Sequence, residues 1–512
     1  MTSLAPNTPV LVGVAQYGDR DTPPERAPSP LDMLARVACQ ALQDSHAAGD
    51  LSDWIDAIAV VRSFFDSAPA YHIPGVSYGN LPLSLARRLG ITPSRYFYPQ
   101  VGGNTPQWLV NIGAEMIARG EVRALLIAGA EAMRTAKLAR EAGLALDWRD
   151  EPGGAYEAIG DARPGVSAHE MAHGLGLPVN TYPLFENALG HHYGRTPAAQ
   201  RHACGALFAP FTEVAAANPL AAFPAVRSAE ALATPSAGNR MIAYPYTKAL
   251  CAQMYVDEAA AVILTSVAEA QKLGVPREKW VFLHGCADTT EKWLVSERID
   301  YHSSPAIKIG GAEALAMAGI GLDEVAAFDL YSCFPSAVEV ACDALGLAHD
   351  DARGLTVTGG LPFFGGPGNN YTMHAIAAMA GRLRQAPQAY GFVSANGWYL
   401  TKHSFGVYSA RPPAAPFVRA RPASYQGAID AMPSPPFVEQ ASGTGKVETY
   451  TVVYQKDAPA LAIFIARSLD SGARFLATAR DPSILAQMID QPVIGRRLVV
   501  THERGRNQAA FA

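Results

Sequence analysis

The chain has 512 residues, 49% hydrophobic and 17% charged, with a formal net charge of −5. One hydrophobic core cannot organise that length, so three or four structural units are expected, and the low charge excludes general disorder. A net negative chain with no run of Lys and Arg gives nucleic acid no electrostatic foothold.

The first residues, MTSLAPNTPVLVGVAQ, have neither the basic start nor the long apolar centre of a secretory leader. No apolar run approaches the ~18–20 residues that span a bilayer. The six cysteines, at 39, 204, 251, 286, 333 and 342, form no CxxC pair. That spacing argues against a cysteine zinc site or a disulfide framework, and a cytoplasmic location is expected.

Pro9 to Gln16 is a β-type run and Leu31 to Leu42 has helical spacing. Ile55 to Val61 is a short apolar strand, and Leu83 to Leu89, closed by Gly90, is a helix. Next comes a tight turn, Gly102-Gly103-Asn104-Thr105-Pro106. A helix follows over about 107–119 with Trp108, Ile112, Met116 and Ile117 on one face, and then a buried strand, Val122 to Ala128. Strand-helix-strand alternation marks a mostly parallel sheet covered on both faces. A buried helix entered through small residues points unpaired N–H groups and a partial positive charge at whatever lies before it.

From about 135 to 240 the regularity drops, and Gly, Pro, His and Asn become dense. Such an insertion in an α/β protein commonly covers a site. It contains His169-Glu170-Met171-Ala172-His173, which reads as H-E-x-x-H, with His191 or His192 as a conceivable third ligand. Gly174, Gly176 and Pro178 cut the helix short, and Val179 stands where the extended motif has a third His, so no metal is expected. Arg240 and Lys248 end this region and are candidates for binding phosphates.

Alternation resumes with strands at 259–264 and 280–284, a helix at 311–319, a strand at 325–330, a helix at 335–345, a strand at 355–358, a helix at 372–384 and a strand at 390–395. Ala410 to Pro436 is Pro-rich and reads as a stiff, exposed linker or wrap. Beyond it, KVETYTVVY, ALAIFIARSL and Arg474 to Thr478 are strands, the last two joined by the turn Asp470-Ser471-Gly472, with a short helix at 483–488 and a final strand.

The turn-helix-strand unit, its closing Gly120 and the following Ala128-Gly129-Ala130-Glu131 resemble the nucleophile helix of the thiolase superfamily. Tyr331-Ser332-Cys333-Phe334 resembles the N-E-A-F motif of that family, and more closely the H-D-C-F form of the sterol-carrier-protein type. Gly359 to Asn370 resembles its Gly-rich G-H-P loop, and Ser394-Ala395-Asn396-Gly397 its C-x-G motif. The likeness covers about residues 8–410 with the motif order kept. It is nearest the thiolase-like, acetyl-CoA acetyltransferase branch beside the sterol-carrier-protein thiolases, some members of which carry an extra C-terminal domain of OB-like type.

The resemblance implies an α/β protein: a duplicated thiolase fold of two five-stranded mixed sheets with layered helices, plus a small C-terminal β-rich domain. The expected divisions are 1–134, 135–240 (the inserted loop domain), 241–410, a linker at 411–439 and the β-rich domain at 440–512. It also implies a homodimer through the thiolase core, with a monomer as the alternative. Coenzyme A or an acyl-CoA thioester would be the ligand and substrate, and no tightly bound cofactor is expected.

Counted along the motifs, the nucleophilic Cys falls on Gly103, the G-H-P His on Gly366 and the last Cys on Ala395. The expected catalytic groups are therefore Cys333, Tyr331, His374 and His403. Gly103, Asn104, Gly365, Gly366, Asn396, Arg240 and Lys248 are the expected binding groups. Cys333, His374 and His403 are expected to converge beside Gly103. Gly103→Cys is expected to do little if another Cys already serves as nucleophile, and to create weak acyl transfer if the nucleophile is absent. Three functions stay open. They are acyl-CoA carbon–carbon chemistry of the acyltransferase family, retro-aldol cleavage of a β-hydroxyacyl-CoA using Tyr331, and non-catalytic acyl-CoA binding.

Overall fold

The protein is described by a computed structural model covering residues 4–67 and 71–512; the first three residues of the stretch read for a leader lie outside it. Two sheets repeat one plan. In the first, strands run in the order Pro9–Asp19, Asp257–Ser266, Ala124–Ala132, Ala57–Val60, Arg95–Phe97. In the second, the order is Phe282–Thr290, Lys402–Ser409, Tyr390–Gly397, Val325–Asp329. In each, the chain's last strand lies beside its first and runs antiparallel to both neighbours.

The thiolase fold expected from the motifs is present, with one difference in the second sheet, which has four strands rather than five. Residues 355–358 were expected as a strand. They form no ladder, because Asp329 draws the segment into a side-chain cluster: its carboxylate accepts from the Val357 N–H at 2.9 Å and from Thr356 Oγ1 at 3.0 Å. Strand Lys402–Ser409 was not expected at all. It lies between two partners and is buried along its whole length, including Lys402 and His403.

Helix Thr105–Ala118 sits between the sheets. Pro106 fits its first turn, and the chain leaves it at Gly120 (φ +72°) with Glu121 N–H donating to Met116 O at 2.9 Å, as a left-handed C-terminal cap requires. Leu109, Val110, Ala114 and Ile117 are at most 1% exposed. Fully burying side chains of the Leu or Ile kind stabilises a fold by about 1.5–3 kcal/mol each. Helix Tyr371–Gln385, from the second half, packs against it.

In the C-terminal region, strands Gly443–Gln455, Ala458–Ser468, Arg474–Ala479, Arg506–Phe511 and Arg497–Glu503 close on one another into a small barrel. The sheet reaches outside residues 440–512, since Val453 pairs with Ala243 of strand Met241–Ala243. Met241 and Tyr244 enter the barrel's core.

The Pro-rich stretch is a wrap rather than a free linker. Arg419, its side chain 4% exposed, pairs with Glu115 at 3.0 Å and with Asp288, and helix Ala423–Asp430 buries Tyr425 and Ile429. Arg474 then bolts the barrel to the core. It is 1% exposed, donates to Glu448 at 2.6 Å and to the carbonyls of Ser296, Arg298 and Ile299, and lies 4.8 Å over the Tyr301 ring.

Removing one partner of a buried, hydrogen-bonded charge typically costs about 3–5 kcal/mol. Arg474→Met is expected to lower the melting temperature and to open residues 431–442 to protease. Unchanged thermal and proteolytic stability would contradict the role given to this side chain.

Candidate active site

The turn before helix Thr105–Ala118 faces the end of strand Tyr390–Gly397 and the start of helix Pro335–Leu345. No side chain fits at Gly103. A Cβ there would lie 2.6 Å from Asn396 O and 2.8 Å from Tyr331 Cζ, and nearer still to the Tyr331 hydroxyl. The phenol fills the space that a side chain at residue 103 would enter. Burial holds it well above its ordinary pKa, and the charge of Cys333 would push the same way. Tyr331 is therefore a neutral hydrogen-bond donor and not a base. Its hydroxyl has no hydrogen-bond partner among the described residues.

Cys333 lies just before helix Pro335–Leu345, and its thiol is pushed up to about 12 by burial, against the pull of Tyr182, nearby backbone N–H groups and Asn396. It is not a ready thiolate. Asn396 links these groups. Its amide donates to Tyr182 Oη at 2.8 Å and reaches Cys333 Sγ at 3.9 Å, while its Oδ1 is buried without a partner. Tyr182 belongs to helix Pro178–His192 of the inserted region, stacks on Phe334 at 4.5 Å and donates to Trp398 O at 2.9 Å. The insertion thus supplies a wall of the site.

Lys402 is the group that the motifs did not reveal as part of the turn. The place of a Gly102 Cβ is 2.8 Å from Lys402 Nζ and 2.5 Å from Asn104 Oδ1, which has no partner among the described residues. The ammonium donates to Val101 O and makes no ion pair among the described residues. Burial lowers its pKa to about 8, opposed by the charge of Asp161. Asn104, Tyr331, Cys333 and Lys402 keep 7–8% exposure each, so the cluster is nearly closed. Asn104 also donates to Ser404 Oγ at 3.2 Å, which ties the turn to the strand of Lys402.

The two expected histidines do not converge here. His403 follows Lys402 on a strand whose successive side chains point to opposite faces, so it turns away from the turn. It meets Leu400 O at 3.1 Å and stacks with Phe405. On helix Tyr371–Gln385, Thr372 Oγ1 donates to Gly103 O at 3.2 Å. Residues two apart on a helix do not share a face, and His374 instead meets Gln16 Oε1 at 3.1 Å and packs on Phe364. Burial holds both rings near pKa 3, hence neutral.

Other expected groups take other places. Gly365 (φ +147°) has its side-chain direction filled by the carboxyl of Glu258. Gly366 hydrogen-bonds Gln253 O at 2.9 Å through its backbone. Arg240 and Lys248 are exposed on the hairpin of strands Met241–Ala243 and Tyr246–Thr247, and Arg240 is held to Met241 O at 3.2 Å. His173 of the H-E-x-x-H stretch has both nitrogens occupied, one on His169 O at 2.8 Å and the other accepting the Asn507 N–H at 3.0 Å. Glu170 caps its own helix with Ser167 and accepts from the Ser296 N–H. That motif joins the insertion to the barrel.

The packing around Gly103 leaves no room for a Cys side chain without a shift of its neighbours. Forcing extra atoms into a filled core typically costs about 1–3 kcal/mol. Gly103→Ala and Gly103→Cys are both expected to destabilise the protein by about that much. The extra loss caused by Gly103→Ala should be smaller in a Tyr331→Ala background, where only the Asn396 carbonyl still crowds the Cβ, as read by thermal denaturation. Equal losses with and without Tyr331 would show that the phenol is not what fills the space.

Residues 424–504 match the family described as the thiolase-like protein type 1 additional C-terminal domain. The whole chain is similar to a monomeric SCP2-thiolase-like protein type 1 from Mycobacterium smegmatis, at 40% identity over 100% of both chains, with a TM-score of 0.85. An Ltp2–ChsH2(DUF35) aldolase is similar at 17% identity over 79% of this chain and 99% of its own, TM-score 0.56. An acetyl-CoA acetyltransferase from Syntrophomonas wolfei is similar at 16% identity over 80% and 100%, TM-score 0.55. At those identities the last two share the fold alone. No curated protein matches. The 40% likeness over the full length, with the matching C-terminal domain, places this chain in the SCP2-thiolase-like protein type 1 family of the thiolase superfamily.

Proposed function

We propose that the protein acts on an acyl-CoA thioester, making or breaking the carbon–carbon bond next to the thioester carbonyl without an acyl-enzyme. The observation that carries this reading is the Tyr331 phenol standing where a side chain at residue 103 would begin. In retro-aldol cleavage of a β-hydroxyacyl thioester, the neutral phenol donates a hydrogen bond to the thioester oxygen as enolate charge grows there. Lys402, in its neutral form, takes the β-hydroxyl proton. The carbon–carbon bond then breaks, releasing an aldehyde or ketone, and the enolate is protonated to acyl-CoA. No tightly bound cofactor is required. Arg240 and Lys248 lie outside this cluster and are candidates only for the nucleotide phosphates. Non-catalytic acyl-CoA binding is the second reading, favoured by the 7–8% exposure of the central groups.

Product analysis with short acyl-CoAs and β-hydroxyacyl-CoAs separates the readings. The expected products are a carbonyl compound and acyl-CoA, with kcat at least ~100-fold lower in Tyr331→Phe, the size of losing one oxyanion donor. Cys333→Ala should change it little. A base must be unprotonated to act, so the rate should climb as pH rises through about 8, where Lys402 loses its proton, and level off above. Cleavage that survives Tyr331→Phe but not Cys333→Ala would favour thiolase-type proton transfer. Tight acyl-CoA binding with no turnover would favour the second reading.

We further propose that the protein is a monomer rather than the homodimer expected of a thiolase core. Strand Arg95–Phe97 forms one edge of its sheet, and the chain's own residues 157–159 cover it: Tyr98 and Gln100 N–H donate to Glu157 O at 3.1 Å and Ile159 O at 2.8 Å. A covered edge offers no template for a second chain. The M. smegmatis protein is described as monomeric. Light scattering should give the mass of one chain at all concentrations tested, and twice that mass would restore the dimer.

A further inference from the structure

A cavity lies at the same end of the first sheet as the Gly103 turn but is built from residues outside the Tyr331 cluster. Its volume is about 560 Å³, within the range of small-molecule sites. Helix Met133–Ala142, which leaves strand Ala124–Ala132, forms one wall. Met254 and Tyr255, just before strand Asp257–Ser266, form another. In open α/β sheets this strand end is where ligands bind.

The lining has two characters. Leu144 and Tyr255 are 38% and 45% exposed, among the few large apolar side chains so open to water, and Leu146 and Met254 adjoin them. Apolar surface gathered at one concave place is costly to leave wet. Around it stand Lys137, Arg140 and Arg149. Arg149 is held by Asp147 at 2.7 Å, and Lys137 is 3.8 Å from Glu141 and 5.0 Å over the Tyr255 ring. Arg140 has no carboxylate partner among the described residues, and its guanidinium fork suits a planar anion.

We propose that this cavity binds a medium-chain carboxylate, with the chain against Leu144, Leu146, Met254 and Tyr255 and the carboxylate on Arg140 and Lys137. This site stands apart from the Tyr331 cluster and does not depend on any reaction there.

Equilibrium titration of the full chain with dodecanoate and with dodecanol, both below their aggregation limits, tests it. Dodecanoate should bind one per chain, and dodecanol roughly tenfold or more weakly, because it cannot accept a charge-assisted fork. Arg140 is exposed, so Arg140→Glu should fold normally and weaken dodecanoate by a similar factor. Leu146→Asp should abolish it, while Tyr331→Phe should leave it unchanged. Absence of dodecanoate binding would overturn the proposal. So would equal binding of the alcohol, or loss of binding in Tyr331→Phe, which would move the ligand to the other site.

Discussion

The close approach of Tyr331 to the α-carbon of Gly103 is the contact on which the rest of the site depends. In the superfamily pattern a helix N-terminus activates a thiol, because unpaired N–H groups and the helix dipole favour a negative charge there. Here the helix and its left-handed cap are present, and the space before its first turn is filled by a phenol from the other half of the duplicated fold. Gly103 is then required by packing, since any Cβ would overlap Tyr331 and Asn396 O. Positions 103 and 331, far apart in sequence, thus meet in space.

Closure of the site follows from the same contact. With the phenol filling the turn, Asn396, Tyr182 and Cys333 become a hydrogen-bonded set, and Tyr182 brings the inserted region down upon it. The insertion is in turn held by the barrel, through His173 on Asn507 and Thr449 on the Leu184 carbonyl. Arg474 ties the barrel to residues 296–299. The C-terminal barrel, far from the turn in sequence, therefore helps to fix the cover of the site. A buried cation with this many carbonyl partners leaves little freedom for the barrel to swing.

The sequence made the scaffold legible because its signals are local. Pro106 and Gly120 punctuate one helix, apolar runs mark strands such as Ala124–Ala132, and the Gly-rich loop keeps its spacing. The side chains that fill the site were legible only in part. Tyr331 and Cys333 sit in a motif, but Tyr182 comes from an irregular insertion with no pattern to flag it. Strand Lys402–Ser409 begins with Lys and His, whose polarity reads as loop, although both are buried between two strands. Reading that segment as a strand carries the further rule that its neighbours alternate, which sends His403 away and Lys402 inward. The same kind of reasoning on helix Tyr371–Gln385 separates Thr372 from His374. The Pro-rich stretch gave no hint that Arg419 would be drawn down onto Glu115 and Asp288.

With no side chain at Gly103 and Cys333 held as a thiol, no acyl-enzyme is expected to form. The most direct measurement is the mass of the intact protein after incubation with an acyl-CoA and rapid acid quenching, which preserves a thioester. The account predicts the unmodified mass at every time point. A gain of one acyl group, mapped to Cys333, would contradict it.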